Sequence, residues 1–190
     1  PTLPIINMAD NDRFNKHGQE RFAPAISYTD LTTKEVVRLE NTGLKVAKDF
    51  KDAIELASVL AGPSVGQFFA ELGAEVIKIE NKRSNGDVTR SWKLASEDQN
   101  HPYSAYFSSV NLGKKSVFLD LNNIADFDYL KLELRNADIV ICNFKPGDAL
   151  KFGLDFDSIK NLNPTIVYGE ITGFGSENRL AYDIVLQAET

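Results

Sequence analysis

The chain has 190 residues, of which 43% are apolar and 25% charged, and its formal net charge is -6. These proportions are typical of a globular domain with a core of its own. The acidic balance argues against nucleic-acid binding and against anionic membranes. No apolar run approaches the roughly 20 residues that span a bilayer. We therefore expect no nucleic-acid partner and no membrane partner.

The histidines and the cysteine indicate no metal site. His17 and His101 lack the spacing of metal ligands, and the single cysteine, Cys142, lies within the apolar run Asp138–Cys142. A thiol in such a run is most often a reduced core residue. We expect no metal and a cytoplasmic protein.

Residues 1–50 carry the weakest pattern. Pro1–Pro24 is polar and has no sustained period, which predicts an arm or a loop. Asp30–Leu39 offers Thr32 or Thr33 as an N-cap before a partial apolar face, which predicts a short helix. We expect this region to be an N-terminal arm or extension.

The clearest pattern is strand, helix, strand over Ala53–Glu80. Ala53–Ser58 is a short apolar run without alternation, as in a strand buried on both faces. Pro63 suits the first helical position, because its φ is helical and its missing N–H would be unpaired there. Glu75–Ile79 is the next strand. Two strands joined by one helix in so few residues predict a parallel, right-handed βαβ unit.

The helix of this unit has an apolar face and a glycine stop. Val65, Phe68, Phe69 and Leu72 follow the spacing of one helical face. Gly73 comes where a left-handed C-terminal cap belongs. In βαβ units ligands bind beyond the carboxyl ends of the strands, which locates a binding site at Val59–Pro63 and Glu80–Arg83.

The alternation continues through residues 51–190. Further strand patterns lie at Lys115–Leu121, Asp138–Cys142 and Thr165–Ile171. Helical patterns lie at His101–Val110, Asn122–Asn136 and Tyr182–Ala188, and Lys151–Leu162 holds a short turn and then a helix. The long polar connection Asn81–Asn100 is of the kind that is usually functional or mobile. The predicted fold class is α/β, a Rossmann-like and mostly parallel sheet with helices on both faces.

Cations collect near the predicted strand ends. Lys82, Arg83, Lys145 and Lys151 are placed there, although each alone is explained as a solvated loop residue. Together with the free N–H groups at the start of the Pro63 helix, they favour an anionic, phosphate-bearing ligand. No Walker sequence and no G-x-G-x-x-G is present, so Glu80, placed where a dinucleotide fold holds a ribose, is a weak signal.

Six blocks of sequence, in order, resemble the family III CoA-transferases, also called the CaiB/BaiF or formyl-CoA transferase family. The blocks are ELASVLAGP, ELGAEVIKIE, SAYFSSVNLGKKSVFLDL, ADIVICNFKPG, LNPTIVYGEITGFG and YDIVLQA. They run from about Ile54 to Gln187 with similar spacing, which makes the resemblance specific. Residues 1–50 do not match the family.

The resemblance implies transfer of coenzyme A from an acyl-CoA to a carboxylic acid, with no metal. It implies a Rossmann-like domain that binds CoA along its strand ends, in a homodimer of interlocked subunits. An aspartate attacks the thioester to give a mixed anhydride and CoA thiolate, and the thiolate returns to form an aspartyl-CoA thioester. The acceptor carboxylate then attacks this thioester. Backbone N–H groups of a glycine loop stabilise the oxyanions.

The match also implies which residues contact CoA. Leu60 and Ala61 match the turn along CoA, and Lys82 or Arg83 takes the place of an arginine that some members have at Asn81. The other implied contacts are a third-strand segment, the N-F-x-P-G turn, a basic residue near the phosphates and the glycine loop beside the reacting carbonyl. Their residues are Leu119, Asn122, Asn143, Phe144, Lys145, Lys151, Thr172, Gly173, Phe174 and Gly175.

By the resemblance, the nucleophilic aspartate lies beyond Thr190, after the helix that contains Gln187 and Ala188. Asp183 precedes that helix, and we expect its carboxylate to cap or orient the helix instead of reaching a thioester. We therefore expect a fragment, a split subunit or a truncated gene product, with no catalytic residue and no transferase activity of its own.

Three other interpretations stay open. The α-methylacyl-CoA racemases form another branch of the same family, but their histidine occupies the position of Tyr182. A non-catalytic CoA-binding or interaction module would keep the fold without the reaction. A dinucleotide-dependent oxidoreductase lacks support, because the glycine fingerprint is missing.

Overall fold

The computed structural model describes residues 50–175 without a gap, and also residues 5–7, 26–29, 36–39, 177, 179, 181–182, 185 and 187–188. The chain divides into two compact units, Pro1–Val46 and Ala47–Thr190. In the described part of the chain, no helix is long and apolar enough to cross a membrane.

The first unit contains a three-stranded antiparallel sheet of β1 (Ile5–Asn7), β2 (Ile26–Thr29) and β3 (Val36–Leu39), in that order. The predicted arm therefore includes a strand. The predicted helix is wrong at Val36–Leu39, while Thr32 and Thr33 lie outside the described residues. Adjacent β-branched valines favour a strand over a helix.

The second unit is built on a five-stranded sheet in which every pairing is parallel. Its strands run in the order β6-β5-β4-β7-β8. Their ranges are β4 (Asp52–Leu56), β5 (Glu75–Asn81), β6 (Lys115–Leu119), β7 (Ile139–Cys142) and β8 (Val167–Glu170). All five predicted strands are confirmed, with ends that agree to within two residues. The strand order reverses between β4 and β7, which makes the crevice beyond their ends a topological switch point.

Helices cover both faces of this sheet, as predicted. They are α1 (Ala61–Glu71), α2 (Ala105–Ser109), α3 (Ile124–Asn136), α4 (Asp148–Phe152) and α5 (Phe156–Leu162). Successive strand residues point to opposite faces. Accordingly, Ile54 packs in one buried cluster with Leu130 of α3 and Ile159 of α5. Ala53 packs in another with Phe69 of α1.

The start of α1 differs from the prediction. The helix begins at Ala61, so Pro63 is its third residue and not its first. The third position is still in the first turn, where a backbone N–H has no acceptor within the helix, and proline is tolerated there for the same reason. Gly73 has φ +94°, which confirms the predicted left-handed residue after the helix.

The buried face of α1 also differs. Of the four residues that share the predicted apolar face, Phe69 alone is buried, while Val65, Phe68 and Leu72 are 37%, 51% and 44% exposed. The helix instead turns a face of small residues toward the sheet. Its buried residues are Gly62, Pro63, Gly66 and Phe69.

The thiol of Cys142 is free and fully buried in the core, as the apolar run predicts. Its sulfur lies 3.2 Å from the hydroxyl of Tyr168, and burial raises the pKa of the thiol above its ordinary value.

Two short 3-10 helices, Lys82–Ser84 and Val88–Ser91, occupy the long connection after β5.

The remaining predicted helices are partly confirmed. The helix expected over His101–Val110 covers only Ala105–Ser109, and Val185, Gln187 and Ala188 have helical backbones.

Candidate functional site

The turns that follow β4 and β7 are tied together at the switch point. The side-chain amide of Asn143 donates to the carbonyl oxygen of Ser58 at 2.8 Å and accepts from the N–H of Ser58 at 3.0 Å. The amide thus imitates a peptide group and extends the pairing of the two strands past their ends. Asn143, predicted as a CoA contact, uses its side chain here to fix the turn after β4.

The next residue in this turn has an unusual backbone. Val59 has φ +70°, a left-handed conformation that a β-branched side chain rarely adopts. Its N–H donates to the carboxylate of Asp87, with the nitrogen 3.1 Å from Oδ2 and 3.4 Å from Oδ1. Backbone strain of this kind persists only where surrounding contacts enforce it, and it is concentrated at functional sites. Val59 directly precedes Leu60 and Ala61, the predicted CoA turn.

Asp87 is itself held from several sides. Its side chain is 1% exposed, and Oδ2 lies 3.1 Å from Nζ of Lys78. Oδ1 accepts from the backbone N–H of Thr89 at 3.0 Å and from its hydroxyl at 2.8 Å. Burial alone would raise the pKa of Asp87, but the charge of Lys78 and the donors of Thr89 hold it below its ordinary value. The carboxylate is therefore ionised and fixed in orientation at neutral pH.

The partner of Asp87 belongs to a chain of buried charges. Glu55 of β4 and Lys78 of β5 are paired in the sheet register, so their side chains point to the same face. Nζ of Lys78 lies 2.8 Å from Oε1 of Glu55, and Nζ of Lys114 lies 2.6 Å from Oε2 of Glu55. We call Glu55, Lys78, Asp87 and Lys114 the buried ion cluster. Its two acids and two bases balance, as buried charges require.

The buried ion cluster is joined to the backbone on both sides of the turn. Lys78 donates to the carbonyl oxygen of Ala57 at 2.8 Å, and Lys114 donates to the carbonyl oxygen of Pro63 at 2.7 Å. Together with the Asp87 contact to Val59, these bonds hold the chain on both sides of Leu60 and Ala61, the predicted CoA turn.

Two glycines let α1 lie directly over these groups. A Cβ at Gly66 would stand 1.9 Å from Oε2 of Glu55, and a Cβ at Gly62 would stand 2.2 Å from Cβ of Ala57. A side chain at either position would have to displace the helix or the group that it meets. The glycines therefore explain why the small-residue face of α1, and not its larger apolar residues, meets the sheet.

The N-terminus of α1 opens at the carboxyl edge of the sheet without a side-chain cap. Its N-cap residue is Leu60, which has no hydroxyl, amide or carboxylate to offer. By contrast, Ser104, Asn123 and Asp155 cap α2, α3 and α5 through their side chains. The positive end of the α1 dipole and its first N–H groups are thus left to another partner.

The predicted basic residues lie on the two sides of this helix end. Lys82 and Arg83 follow β5, while Lys145 and Lys151 follow β7, and both strands flank β4. Lys82, Lys145 and Lys151 are exposed. Arg83 forms an exposed ion pair, with Nε 2.7 Å from Oδ2 of Asp120.

The polar residues predicted beside these cations are mostly engaged within the protein. The side chain of Asn81 accepts from the N–H of Arg83 at 2.9 Å, and Asn122 donates to Asp120 at 3.0 Å from its backbone.

Two of the apolar residues predicted as CoA contacts differ in burial. Leu119 is 6% exposed and belongs to the hydrophobic core. Phe144 is half-buried, with its ring 6.5 Å from that of Phe152.

The predicted glycine loop follows β8 at the same edge of the sheet. Thr172, Gly173 and Gly175 are exposed, and Phe174 is half-buried. The guanidinium carbon of Arg179 lies 3.9 Å from the centroid of the Phe174 ring. Asp183 lies outside the described residues.

Glu80, the weak ribose candidate, is engaged elsewhere. It is 2% exposed, and Nε of Arg90 lies 2.7 Å from its Oε2. The same oxygen accepts from the N–H of Asp87 at 2.8 Å, so Glu80 helps to place Asp87. Burial alone would raise the pKa of Glu80, but the hydrogen bonds from Arg90 and Ser116 hold it below its ordinary value.

Sequence reasoning missed the buried ion cluster, although one signal was present. Glu55 and Lys78 each stand between two apolar residues of their strand, and a strand buried on both faces gives such charges no access to water. In the described part of the chain, no group of three or more His, Cys, Asp or Glu residues is placed to hold a metal ion.

Residues 52–190 match the family model described as CoA-transferase family III. The chain is 43% identical over 141 residues to a succinate–glutarate CoA-transferase of Agrobacterium fabrum, covering 70% of this chain and 35% of that protein. It is 34% identical over 151 residues to a succinyl-CoA:mesaconate CoA-transferase of Haloarcula hispanica, covering 75% of this chain and 38% of that protein.

A solved structure has the same fold. A CaiB/BaiF family protein from Brucella suis is 38% identical and superposes with a TM-score of 0.65, covering 73% of this chain and 38% of that one. The chain spans about a third of the length of the curated relatives it matches. The chain therefore belongs to CoA-transferase family III.

Proposed function

We propose that this chain is the CoA-binding part of a CoA-transferase that moves CoA from an acyl-CoA to a carboxylic acid. In this proposal residues 51–190 form a large Rossmann-like domain, and residues 1–50 are an extension. The observation that supports it best is the turn from Ser58 to Gly62. This turn lies at the switch point, is fixed by Asn143 and Asp87, and leads into the uncapped end of α1.

The chemistry of the site suits the phosphates of CoA. Phosphates bind well at an open helix N-terminus, where N–H groups and the helix dipole both favour an anion. Lys145 and Lys151 are exposed after β7, and Lys82 is exposed after β5. We propose that the phosphates of CoA lie among these groups. Leu60, Ala61 and Phe144 would border the rest of the coenzyme, with the Thr172–Gly175 loop near the thioester.

The buried carboxylates close to the turn are already paired with cations. Glu55 and Asp87 are paired with lysines, and Glu80 is paired with Arg90. A nucleophile has to be free to attack, so we propose that the aspartate of the reaction lies outside the described residues. Asp183 is not our candidate.

We propose a double-displacement reaction at that aspartate. Its carboxylate attacks the acyl-CoA carbonyl and expels CoA thiolate, leaving a mixed anhydride. The thiolate attacks the aspartyl carbonyl and expels the donor acid, which gives aspartyl-CoA. The acceptor carboxylate attacks aspartyl-CoA, again expelling thiolate, and the thiolate then takes the new acyl group and frees the aspartate. Each step trades one carboxylate or thiolate for another, so no proton, metal or redox partner is needed.

We propose short dicarboxylic acids as the first acceptors to try. The names of the relatives mention succinate, glutarate and mesaconate, all of which carry two carboxylates.

We further propose that the whole protein is a cytoplasmic homodimer of interlocked subunits. Val65, Phe68 and Leu72 on α1 are apolar and exposed, which supports a further protein surface that covers this helix in the whole protein.

The test is an activity assay with succinyl-CoA and a panel of dicarboxylic acids, followed by hydroxylamine trapping of aspartyl-CoA. We expect no turnover from this chain alone, and turnover when the remainder of the parent protein is supplied. Turnover by this chain that Asp183→Asn abolishes would contradict the proposal and make Asp183 the nucleophile. No turnover from the completed protein with any acyl-CoA would contradict the proposed activity itself.

A further inference from the structure

We propose that Asp87 is a positioning residue for coenzyme binding, which it serves by holding Val59 in its left-handed conformation. The inference rests on the proposed function, because it assumes that Leu60 and Ala61 contact CoA. Asp87 does not touch the coenzyme in this account. It acts through the backbone of the turn.

The geometry of the Asp87 carboxylate allows one orientation. Oδ1 receives both donors of Thr89, at 3.0 and 2.8 Å, and Oδ2 receives Nζ of Lys78 at 3.1 Å. The N–H of Val59 then meets the two oxygens from the remaining side, closest to Oδ2 at 3.1 Å. Rotation of the carboxylate would break contacts on both oxygens, so the acceptor for Val59 is fixed in space.

The position of Asp87 along the chain is fixed as well. Its N–H donates to Oε2 of Glu80 at 2.8 Å, and Gly86 before it has φ +95°. A Cβ at Gly86 would lie 2.5 Å from that same Glu80 oxygen, so this approach requires a glycine. The connection after β5 therefore folds back so that the carboxylate of Asp87 contacts the turn after β4.

Val59 is the residue that most needs this support. A β-branched side chain disfavours positive φ, and without an acceptor the residue would relax to an extended or right-handed conformation. The neighbouring points of the turn, Ala57 O and Pro63 O, stay bound to Lys78 and Lys114. If Val59 relaxed, the backbone between these two fixed points would therefore change conformation at Leu60–Gly62. The N–H groups at the start of α1 would then point in a different direction.

The substitution Asp87→Asn tests the role of the carboxylate. An amide keeps only one accepting oxygen, so either Thr89 or the Val59 and Lys78 donors face an NH2 group. We expect CoA affinity to fall about ten-fold or more, measured by calorimetry. The milder Thr89→Val, which removes one donor to Oδ1, should weaken binding in the same direction by a smaller factor.

The matched control separates positioning from a general loss of stability. Leu134→Ala opens the core on the opposite face of the sheet, where Leu134 is 1% exposed. It lowers stability without touching the turn, and we expect its CoA affinity to stay within about two-fold of wild type at a temperature where both proteins are folded.

Rescue by glycine gives the sharpest readout, because glycine adopts positive φ without strain. Adding Val59→Gly to Asp87→Asn should restore most of the lost CoA affinity while leaving the stability defect in place. Hydrogen exchange of the Val59 amide should be slow in wild type and fast in Asp87→Asn, a readout that needs no coenzyme.

The outcomes are distinct for the two claims. A folded wild-type protein that does not bind CoA contradicts the proposed function, and the hydrogen-exchange comparison still decides whether Asp87 holds Val59. Wild-type protein that binds CoA, with Asp87→Asn folded and equally tight, overturns the positioning role. The same role is overturned if Val59→Gly restores none of the affinity, or if the Val59 amide exchanges equally slowly in both proteins.

Discussion

Glu55 and Lys78 face each other across β4 and β5 with their charges 2.8 Å apart, and both side chains are fully buried. Glu75 and Lys115 also lie 2.8 Å apart on neighbouring strands, but their side chains are 49% and 65% exposed. The two pairs share chemistry and distance and differ in burial. They form an internal comparison of what a buried charge contributes to this fold.

Replacing Lys78 with Met should destabilise the protein by about 3–5 kcal/mol, because it leaves Glu55 and Asp87 buried with too little positive charge. Lys115→Met, the matched control, should cost no more than about 1 kcal/mol, because water screens that pair. Urea unfolding of both variants measures the difference. Equal and small losses would show that the buried ion cluster does not stabilise the fold.

Gly66→Ala should destabilise by about 1–3 kcal/mol or more, because its Cβ would stand 1.9 Å from Oε2 of Glu55. The sign of the change in the free energy of unfolding is informative, since Gly→Ala at an exposed helical site stabilises by up to about 1 kcal/mol. The neighbouring Val65→Ala, on the exposed face, serves as the control and should have little effect. Thermal unfolding of the two variants is the measurement, and a stabilised Gly66→Ala protein would contradict the close approach of α1 to the sheet.

Stability should fall in acid through Asp87 and Glu80. The contacts of both carboxylates hold their pKa below the ordinary value in the folded protein. The stabilisation is therefore fully present above the unfolded pKa values of about 3.9 and 4.3, and is lost as pH falls through the lower folded values. The free energy of unfolding measured from about pH 5 down to about pH 2 should drop more steeply in wild type than in Glu80→Gln. Parallel curves for wild type and Glu80→Gln would count against the assignment.

Removing two strand-end cations should weaken CoA binding. Lys145→Ala/Lys151→Ala is expected to lower the affinity and to flatten its dependence on salt, because exposed charges act through a screened field. Lys115→Ala/Lys160→Ala changes the net charge equally at the opposite edge of the sheet, since Lys115 begins β6 and Lys160 lies in α5, which leads into β8. Calorimetric titrations at two salt concentrations compare the pairs. Equal affinity in the two double variants would remove Lys145 and Lys151 from the site.

The sequence predicts the sheet well because its signals are local. Short apolar runs mark all five parallel strands, and Gly73 marks the end of α1. The prediction starts α1 two residues late, because proline fits any position of the first turn and does not identify the first residue. None of the strands β1, β2 and β3 is predicted, because each has only three or four residues and shows neither a period nor a sustained apolar run.

The site was only partly predictable, since its contacts join distant positions. Parallel topology correctly places the turns after β4 and β7 at the same edge of the sheet, yet nothing local shows that Asn143 pairs with Ser58, 85 residues away. Likewise the Gly86–Asp87 pair reads as an ordinary loop until Val59 is found bound to its carboxylate, 28 residues away. The positions of strand ends follow from pattern, whereas the roles of their side chains depend on register and packing.

Amide-resolved NMR titration with CoA shows, residue by residue, where the coenzyme binds. We expect the amides of Leu60, Ala61, Gly62 and Phe144 to shift together with one dissociation constant. The amides of Phe127 and Ile159, which line a separate cavity of about 260 Å³ between α3, α4 and α5, should stay unchanged. Shifts confined to that cavity, or turn amides unmoved at millimolar CoA in a folded protein, would contradict the account.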